Sequence, residues 1–98
     1  MIIVLNVFSI KFGKVKEIKA LFKEAQKINI EHGINGMRMM TDVTGPSYTF
    51  VVETSHKSLS EFEKNLQKMF ASKEWEEVYQ KMIPLMKSGY REIFTIVE

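Results

Sequence analysis

Side chains that could do chemistry are few in this sequence, and they are widely spaced. The chain has no cysteine, which excludes disulfides, thiolate nucleophiles and cysteine-based metal sites. The two histidines, His32 and His56, lie far apart and show neither HxxxH nor HxH spacing, so we expect no metal site. No glycine-rich phosphate loop, Ser-His-Asp set or well-spaced carboxylate pair is present. The residues alone leave open whether the chain is an enzyme.

The first half of the pattern predicts a strand and a long helix. Residues 2–10 are rich in Ile, Val, Leu and Phe, as a buried strand would be. From residue 14 to about residue 31 a helical stripe includes Phe22, Ala25 and Asn29, while lysines occupy the opposite face. Two strands should follow, over about 34–43 and 48–55, around a Thr-Gly-Pro-Ser turn.

The second half predicts two helices and a final strand. Ser58 begins a capping box, and Ser72 is a second candidate N-cap. Pro84 should kink or end the later helix, and Gly89 should terminate the segment before a last strand over 90–97. The order β-α-β-β-α-(α)-β predicts a single domain, residues 1–98, of the ferredoxin-like α+β class: a four-stranded antiparallel sheet with helices on one face.

The second face of that sheet, which no predicted helix covers, bears on how the protein assembles. Pairing across the hairpin places Met39 opposite Val52, under the helices, and Arg38 opposite Glu53, on the other side. In the first strand we expect Ile3, Leu5 and Val7 under the helices. The second face would then hold Ile2, Val4, Asn6, Phe8, Met40, Val51, Ile93, Thr95 and Val97. Because such an apolar face would be unusually large for a monomer, we predict a homodimer whose sheets stack on their open faces.

Polar groups within a mostly apolar enclosure are typical of a small-molecule pocket. The pocket candidates are Asn6, Phe8, Arg38, Met40, Glu53, Trp75, Tyr79 and Thr95. For Arg38 and Glu53 the favoured interpretation is a cross-strand ion pair.

Both a functional and a structural interpretation exist for four side chains: Trp75, Tyr79, His32 and Arg91. Trp75 could stack on a planar ligand, but its helical spacing favours the core. Tyr79 could donate its hydroxyl to a substrate or reach the surface. His32 could act as a base at a pocket mouth, although a histidine there more often interacts with the end of the helix. Arg91 could bind an anionic ligand, but a surface or inter-subunit ion pair is the favoured interpretation. For His56 we expect only a place in a solvated loop.

Charge and hydropathy narrow the choice of partners. The net charge is +2 and no basic block occurs, so we expect no nucleic-acid partner. The apolar opening MIIVLNVFSI is too short for a membrane span or a signal peptide, so we expect a cytoplasmic protein without a membrane partner.

Four segments carry a family resemblance: FGKVKEIKALF, EHGINGM, TGPSYTFVVE and SLSEFEKNLQKMFASKEWEEV. The chain resembles the dimeric α+β barrel superfamily, and most closely the NIPSNAP-like proteins. That superfamily includes monooxygenases of the antibiotic-biosynthesis type and haem-degrading monooxygenases. The latter resemblance implies an asparagine on the first strand, matched by Asn6, and a haem-binding histidine where this chain has Tyr79. We therefore expect no haem and no other cofactor.

Three functions remain in competition. The first is a homodimer with an apolar small-molecule pocket between the sheet and the helices of each subunit, serving ligand binding or an unassigned reaction. The second, implied by the resemblance, is a cofactor-independent monooxygenase for a phenolic or polycyclic substrate, with Asn6 and Arg38 stabilising the substrate anion. The third is a structural interaction module without a cavity.

Overall fold

A computed structural model describes residues 1–98 as a four-stranded antiparallel sheet with helices packed on one face. In chain order the elements are β1 (Ile2–Ile10), α1 (Val15–Glu31), β2 (Arg38–Thr41), β3 (Thr49–His56), α2 (Leu59–Ala71), α3 (Lys73–Met82), a 3-10 turn (Ile83–Leu85) and β4 (Met86–Thr95). The strands lie in the order β2-β3-β1-β4, and each neighbouring pair is antiparallel. The predicted ferredoxin-like α+β fold is confirmed.

The capping residues and the proline that the sequence predicts at the helix ends are found there in the structure. The hydroxyl of Ser58 accepts a hydrogen bond from the Glu61 backbone N–H at 3.2 Å, which caps α2. The Ser72 hydroxyl accepts one from the Trp75 backbone N–H at 3.2 Å, which caps α3. Each bond satisfies a backbone donor that the first helical turn leaves free. Pro84 lies in the 3-10 turn that ends α3, as predicted.

Two strand boundaries differ from the prediction. The second strand is shorter than expected, because the Ile34 N–H bonds to the Asn29 carbonyl at the end of α1 and Gly36 has a φ of 84°. The last strand begins at Met86, so Gly89 lies within β4 and does not terminate the preceding segment. Gly89 pairs with Phe8, and a Cβ atom there would lie 2.7 Å from Phe8 Cδ1. Glycine therefore allows the Phe8 ring to approach the backbone of β4.

The faces of the hairpin were predicted correctly, but the faces of β1 and β4 were reversed. Arg38 pairs with Glu53 and Met39 with Val52, as expected. In β1, however, the even-numbered side chains lie under the helices: Val4 is fully buried and the Phe8 ring lies 5.6 Å from the Phe22 ring of α1. Ile93 and Thr95 of β4 pair with Val4 and Ile2 and so lie on the helix side, not on the open side as predicted. Both parities of β1 are apolar, so alternation could not decide its orientation.

The main core fills the space between the helices and one face of the sheet. At its centre the rings of Phe22 and Phe50 stack at 4.9 Å with an interplanar angle of 14°. The other face of the sheet has no covering element within the chain. Its apolar residues are Ile3, Leu5, Val7, Met40, Val51, Tyr90 and Phe94; we call this surface the open face. None of the helices is long and apolar enough to cross a membrane.

Candidate functional site

A cavity of about 520 Å³ lies between the sheet and the three helices. Of the 22 residues that line it, 14 are hydrophobic, so its walls favour an apolar occupant. Four methionines contribute flexible side chains to these walls: Met37, Met69, Met82 and Met86. Methionine adapts its shape readily, which suits a wall that must fit around a ligand.

Helix α3 supplies an aromatic wall. Trp75 and Tyr79, one helical turn apart, stack with their ring centroids 5.1 Å apart and an interplanar angle of 11°. Phe70, at the end of α2, meets Trp75 edge to face at 5.9 Å. Trp75 also packs against the main core, as its helical spacing predicted, and it lines the cavity as well.

The sheet supplies a polar end to the cavity. Asn6 on β1 and Arg91 on β4 are direct cross-strand neighbours, and Arg91 Nε donates a hydrogen bond to Asn6 Oδ1 at 2.8 Å. The Arg91 guanidinium carbon lies 5.2 Å from the centroid of the Phe62 ring, within cation–π range. No carboxylate of the chain lies within 4.0 Å of this guanidinium. Arg91 therefore has no ion-pair partner within the chain, and Glu76 is the one carboxylate among the residues that line the cavity.

A second polar group is a chain of side-chain hydrogen bonds between β3 and α2. Asn65 Nδ2 donates to His56 Nδ1 at 3.1 Å, which places the ring proton on Nε2, and Nε2 then donates to Thr54 Oγ1 at 2.9 Å. The expectation that His56 is solvated was wrong, since it is the last residue of β3 and only 4% exposed. Burial lowers the pKa of His56, and the nearby Glu61 carboxylate opposes that effect.

Because both nitrogens of His56 are engaged by the protein, this histidine orients Thr54 and is not free to act as a base. The Thr54 hydroxyl, which accepts from His56, keeps its own proton to donate.

Asn29 carries an unpaired polar atom into the cavity wall. The residue is 5% exposed and its Nδ2 contacts Met37 Sδ at 3.8 Å, while Oδ1 has no hydrogen-bond partner. A buried carbonyl oxygen without a donor is costly, so it marks a position where a ligand donor would be favourable. The sequence-based prediction assigned no function to Asn29, although an asparagine within an apolar helical stripe indicates a buried polar group.

The predicted site residues are divided between the two faces. Asn6, Phe8, Trp75 and Tyr79 line the cavity. The others lie elsewhere: Arg38, Met40 and Glu53 on the open face, and Thr95 opposite Ile2 outside the cavity.

The placement of Asn6 and Arg38 together was therefore wrong, because the sheet separates them. Arg38 instead bonds Glu53, with Nη2 to Oε2 at 2.6 Å, which is the ion pair that the sequence favoured. His32 is exposed at the end of α1, and its backbone N–H bonds carbonyls of the last turn.

The family is settled by a match to the NIPSNAP family model, which covers residues 3–98. The chain belongs to the NIPSNAP family. No curated protein matches its sequence. Among solved structures, a NIPSNAP family protein from Agrobacterium tumefaciens is 19% identical, with a TM-score of 0.87 and coverage of 99% of this chain and 86% of the other.

Two further structures show how widely the fold is shared. An uncharacterised NIPSNAP domain protein from Burkholderia xenovorans is 15% identical, with a TM-score of 0.86 and coverage of 99% of this chain and 95% of the other. An antibiotic biosynthesis monooxygenase is more distant, at 13% identity and a TM-score of 0.77 with full coverage of both chains. At these identities the likeness establishes the fold and leaves the chemistry to the residues of the site.

Proposed function

We propose that this NIPSNAP protein binds a small apolar or aromatic molecule in the cavity between its sheet and its helices. The observation that carries the proposal is the cavity itself, which at about 520 Å³ falls within the usual range of ligand pockets and places Asn6 and Arg91 at a polar end. Apolar walls supply affinity, while a small number of polar groups fix the orientation of the ligand.

We further propose that the working unit is a homodimer formed through the open face. Tyr90 and Phe94 are 60% and 49% exposed in the single chain, and they lie beside the half-buried Leu5 and Val7. A second copy of the same face would cover these side chains by a two-fold arrangement, in which each apolar row packs against its equivalent.

Native mass spectrometry of freshly purified protein at low micromolar concentration tests both parts. We expect the mass of a dimer, and additional mass per subunit where a ligand is retained. Val7→Glu, which places a carboxylate at the centre of the open face, should give a monomer. If the unmodified chain is monomeric under these conditions, the dimer proposal is wrong.

The cavity is tested separately with the neutral dye N-phenyl-1-naphthylamine, whose fluorescence rises in apolar surroundings. Met69 lines the cavity without belonging to either core cluster, so Met69→Trp should fill space and weaken dye binding. Ile30→Trp, at a position 54% exposed on α1, is the matched control and should bind dye normally. Equal binding by all three proteins would refute a ligand site in this cavity.

The second candidate function is cofactor-independent oxygenation of a phenolic or polycyclic substrate, and the pairing of Asn6 with Arg91 favours it. In that reaction the apolar walls would desolvate a phenolate and the two side chains would stabilise its charge while molecular oxygen reacts. The structural neighbour that is a monooxygenase supports the idea at the level of fold. Oxygen consumption with naphthols that bind, compared in the unmodified chain and Arg91→Met, is the test. If naphthols bind but no oxygen is consumed, the oxygenase function is wrong and only the binding function stands.

A further inference from the structure

Given the binding function proposed above, on which this assignment rests, we infer that the ligand is a planar apolar carboxylic acid with a hydrogen-bond donor at its far end. The first observation is the charge of Arg91, which no carboxylate of the chain neutralises within 4.0 Å. The other arginine, Arg38, already has a carboxylate partner, in Glu53. Arg91 is exposed to solvent in the free protein, and a bound anion would form charge-assisted hydrogen bonds with it.

The geometry of Arg91 favours a carboxylate in particular. Its Nε is already used by Asn6 Oδ1, which fixes the plane of the guanidinium. The two terminal nitrogens remain, and their parallel N–H bonds match the two oxygens of a carboxylate. The Asn6 amide nitrogen is a further donor at the same end of the cavity. This end therefore presents three donor nitrogens to one anionic group.

Glu76 is a carboxylate that lines the same cavity, so it must be weighed against an external anion. It lies on α3 and is more than 4.0 Å from Arg91, as the absence of an ion pair requires. Glu76 and Arg91 are both exposed to solvent, and the Arg91 guanidinium also lies against the Phe62 ring. Because these two charged groups form no ion pair with each other, the terminal nitrogens of Arg91 remain available to a ligand.

The second observation is the unpaired Oδ1 of Asn29 at the other side of the cavity. Asn29 contacts Met37, which immediately precedes β2, whereas Arg91 lies on β4 at the opposite edge of the sheet. Three strand spacings separate β2 from β4, which corresponds to about 14 Å. A fused two-ring acid with a hydroxyl opposite its carboxylate can place oxygen atoms toward both positions. The aromatic side chains of Phe8, Phe62 and Trp75 between them favour a planar body.

The experiment is a set of three naphthalene probes measured by calorimetry at neutral pH. The probes are 6-hydroxy-2-naphthoate, 2-naphthoate, which lacks the hydroxyl, and methyl 6-hydroxy-2-naphthoate, which lacks the negative charge. We expect the hydroxy acid to bind about 10- to 100-fold more tightly than its methyl ester, because the ester loses the charge-assisted hydrogen bonds. We expect it to bind about 5- to 10-fold more tightly than 2-naphthoate, because only the hydroxy acid satisfies Asn29.

Substitutions at the two arginines of the chain give a matched comparison, in which Arg38→Met is the control. Arg91→Met should reduce the affinity of the hydroxy acid to that of its ester, and Arg91→Lys should give an intermediate value because it keeps the charge and loses the planar pair of donors. Arg38→Met makes the same chemical change on the open face and should leave binding unchanged. Circular dichroism checks that each variant is folded.

The possible outcomes test the carboxylic-acid ligand separately from the proposal that the cavity binds a small molecule. Equal affinity for the acid and the ester, or an unchanged affinity in Arg91→Met, overturns the carboxylate assignment while cavity binding stands. Equal affinity for the two acids overturns the role of Asn29. If neither the three probes nor N-phenyl-1-naphthylamine binds, the proposed binding function itself is wrong.

Discussion

Replacement of Asn29 by leucine should stabilise the folded protein, although it removes a polar contact. The Oδ1 atom of Asn29 is buried without a donor, which costs on the order of 1–3 kcal/mol. The contact that is lost, from Nδ2 to Met37 Sδ at 3.8 Å, is weak because thioether sulfur is a poor acceptor. Leucine is also the better helix former by a few tenths of a kcal/mol. We expect Asn29→Leu to raise the free energy of unfolding by about 1–3 kcal/mol.

Urea unfolding measures this change, followed by circular dichroism and by the fluorescence of Trp75, the single tryptophan of the chain. Each kcal/mol should raise the melting temperature by roughly 4–8 °C in a domain of this size. Asn35→Leu, at an exposed position outside the cavity, is the control and should change stability by less than about 0.5 kcal/mol.

A loss of 1 kcal/mol or more in Asn29→Leu would contradict the reasoning, since it would mean that Oδ1 is satisfied in the unliganded protein. Asn29→Asp sharpens the test, because a buried carboxylate beside Met37 should be strongly destabilising. Gain of stability together with loss of the preference for the hydroxylated probe would show that Asn29 is retained for binding at the expense of stability.

Three further perturbations test the rest of the structure. Because burial lowers the pKa of His56 in the folded protein, the imidazole binds a proton more readily in the unfolded chain, and stability should fall as the pH drops below about 6.5. Urea unfolding midpoints at pH 7.5 and pH 5 should show a smaller loss of stability at low pH in His56→Gln and an unchanged loss in His32→Gln. Gly89→Ala should cost about 1–3 kcal/mol in urea unfolding, because its Cβ would meet the Phe8 ring, and Phe8→Leu should recover part of the loss. Ser58→Ala should cost about 1 kcal/mol in the same assay through loss of the α2 cap.

The sequence predicts the elements of this fold well because their signals are local. The caps at Ser58 and Ser72 and the break at Pro84 each depend on residues within one helical turn. The hairpin register follows from one turn, since fixing one cross-strand pair fixes all the others. These features require no knowledge of distant parts of the chain.

The orientation of β1 could not be predicted in the same way. Its neighbours on both sides, β3 and β4, are distant in sequence, and the even and odd positions of β1 are similarly apolar. The deciding contacts are made by the helices: Ile2 and Val4 pack with Phe62 of α2, and Phe8 packs on Phe22 of α1. Such contacts join distant segments, and no local pattern reports them.

The reversal of β1 also changes the chemistry of the site. With Asn6 on the helix side, its cross-strand partner becomes Arg91, and Arg38 lies behind the sheet. A slip of β4 by one residue would turn Arg91 to the open face and bring a neighbouring side chain into the cavity. The bulge between Ser9 and Ile10 is the one irregularity in this pairing, and it lies beyond the Asn6–Arg91 pair toward the start of β4. The Phe8 ring, which lies against the backbone at Gly89, is placed between the bulge and that pair. Gly89 therefore favours the register that keeps the guanidinium in the cavity, and so links the packing of the sheet to recognition of an anion.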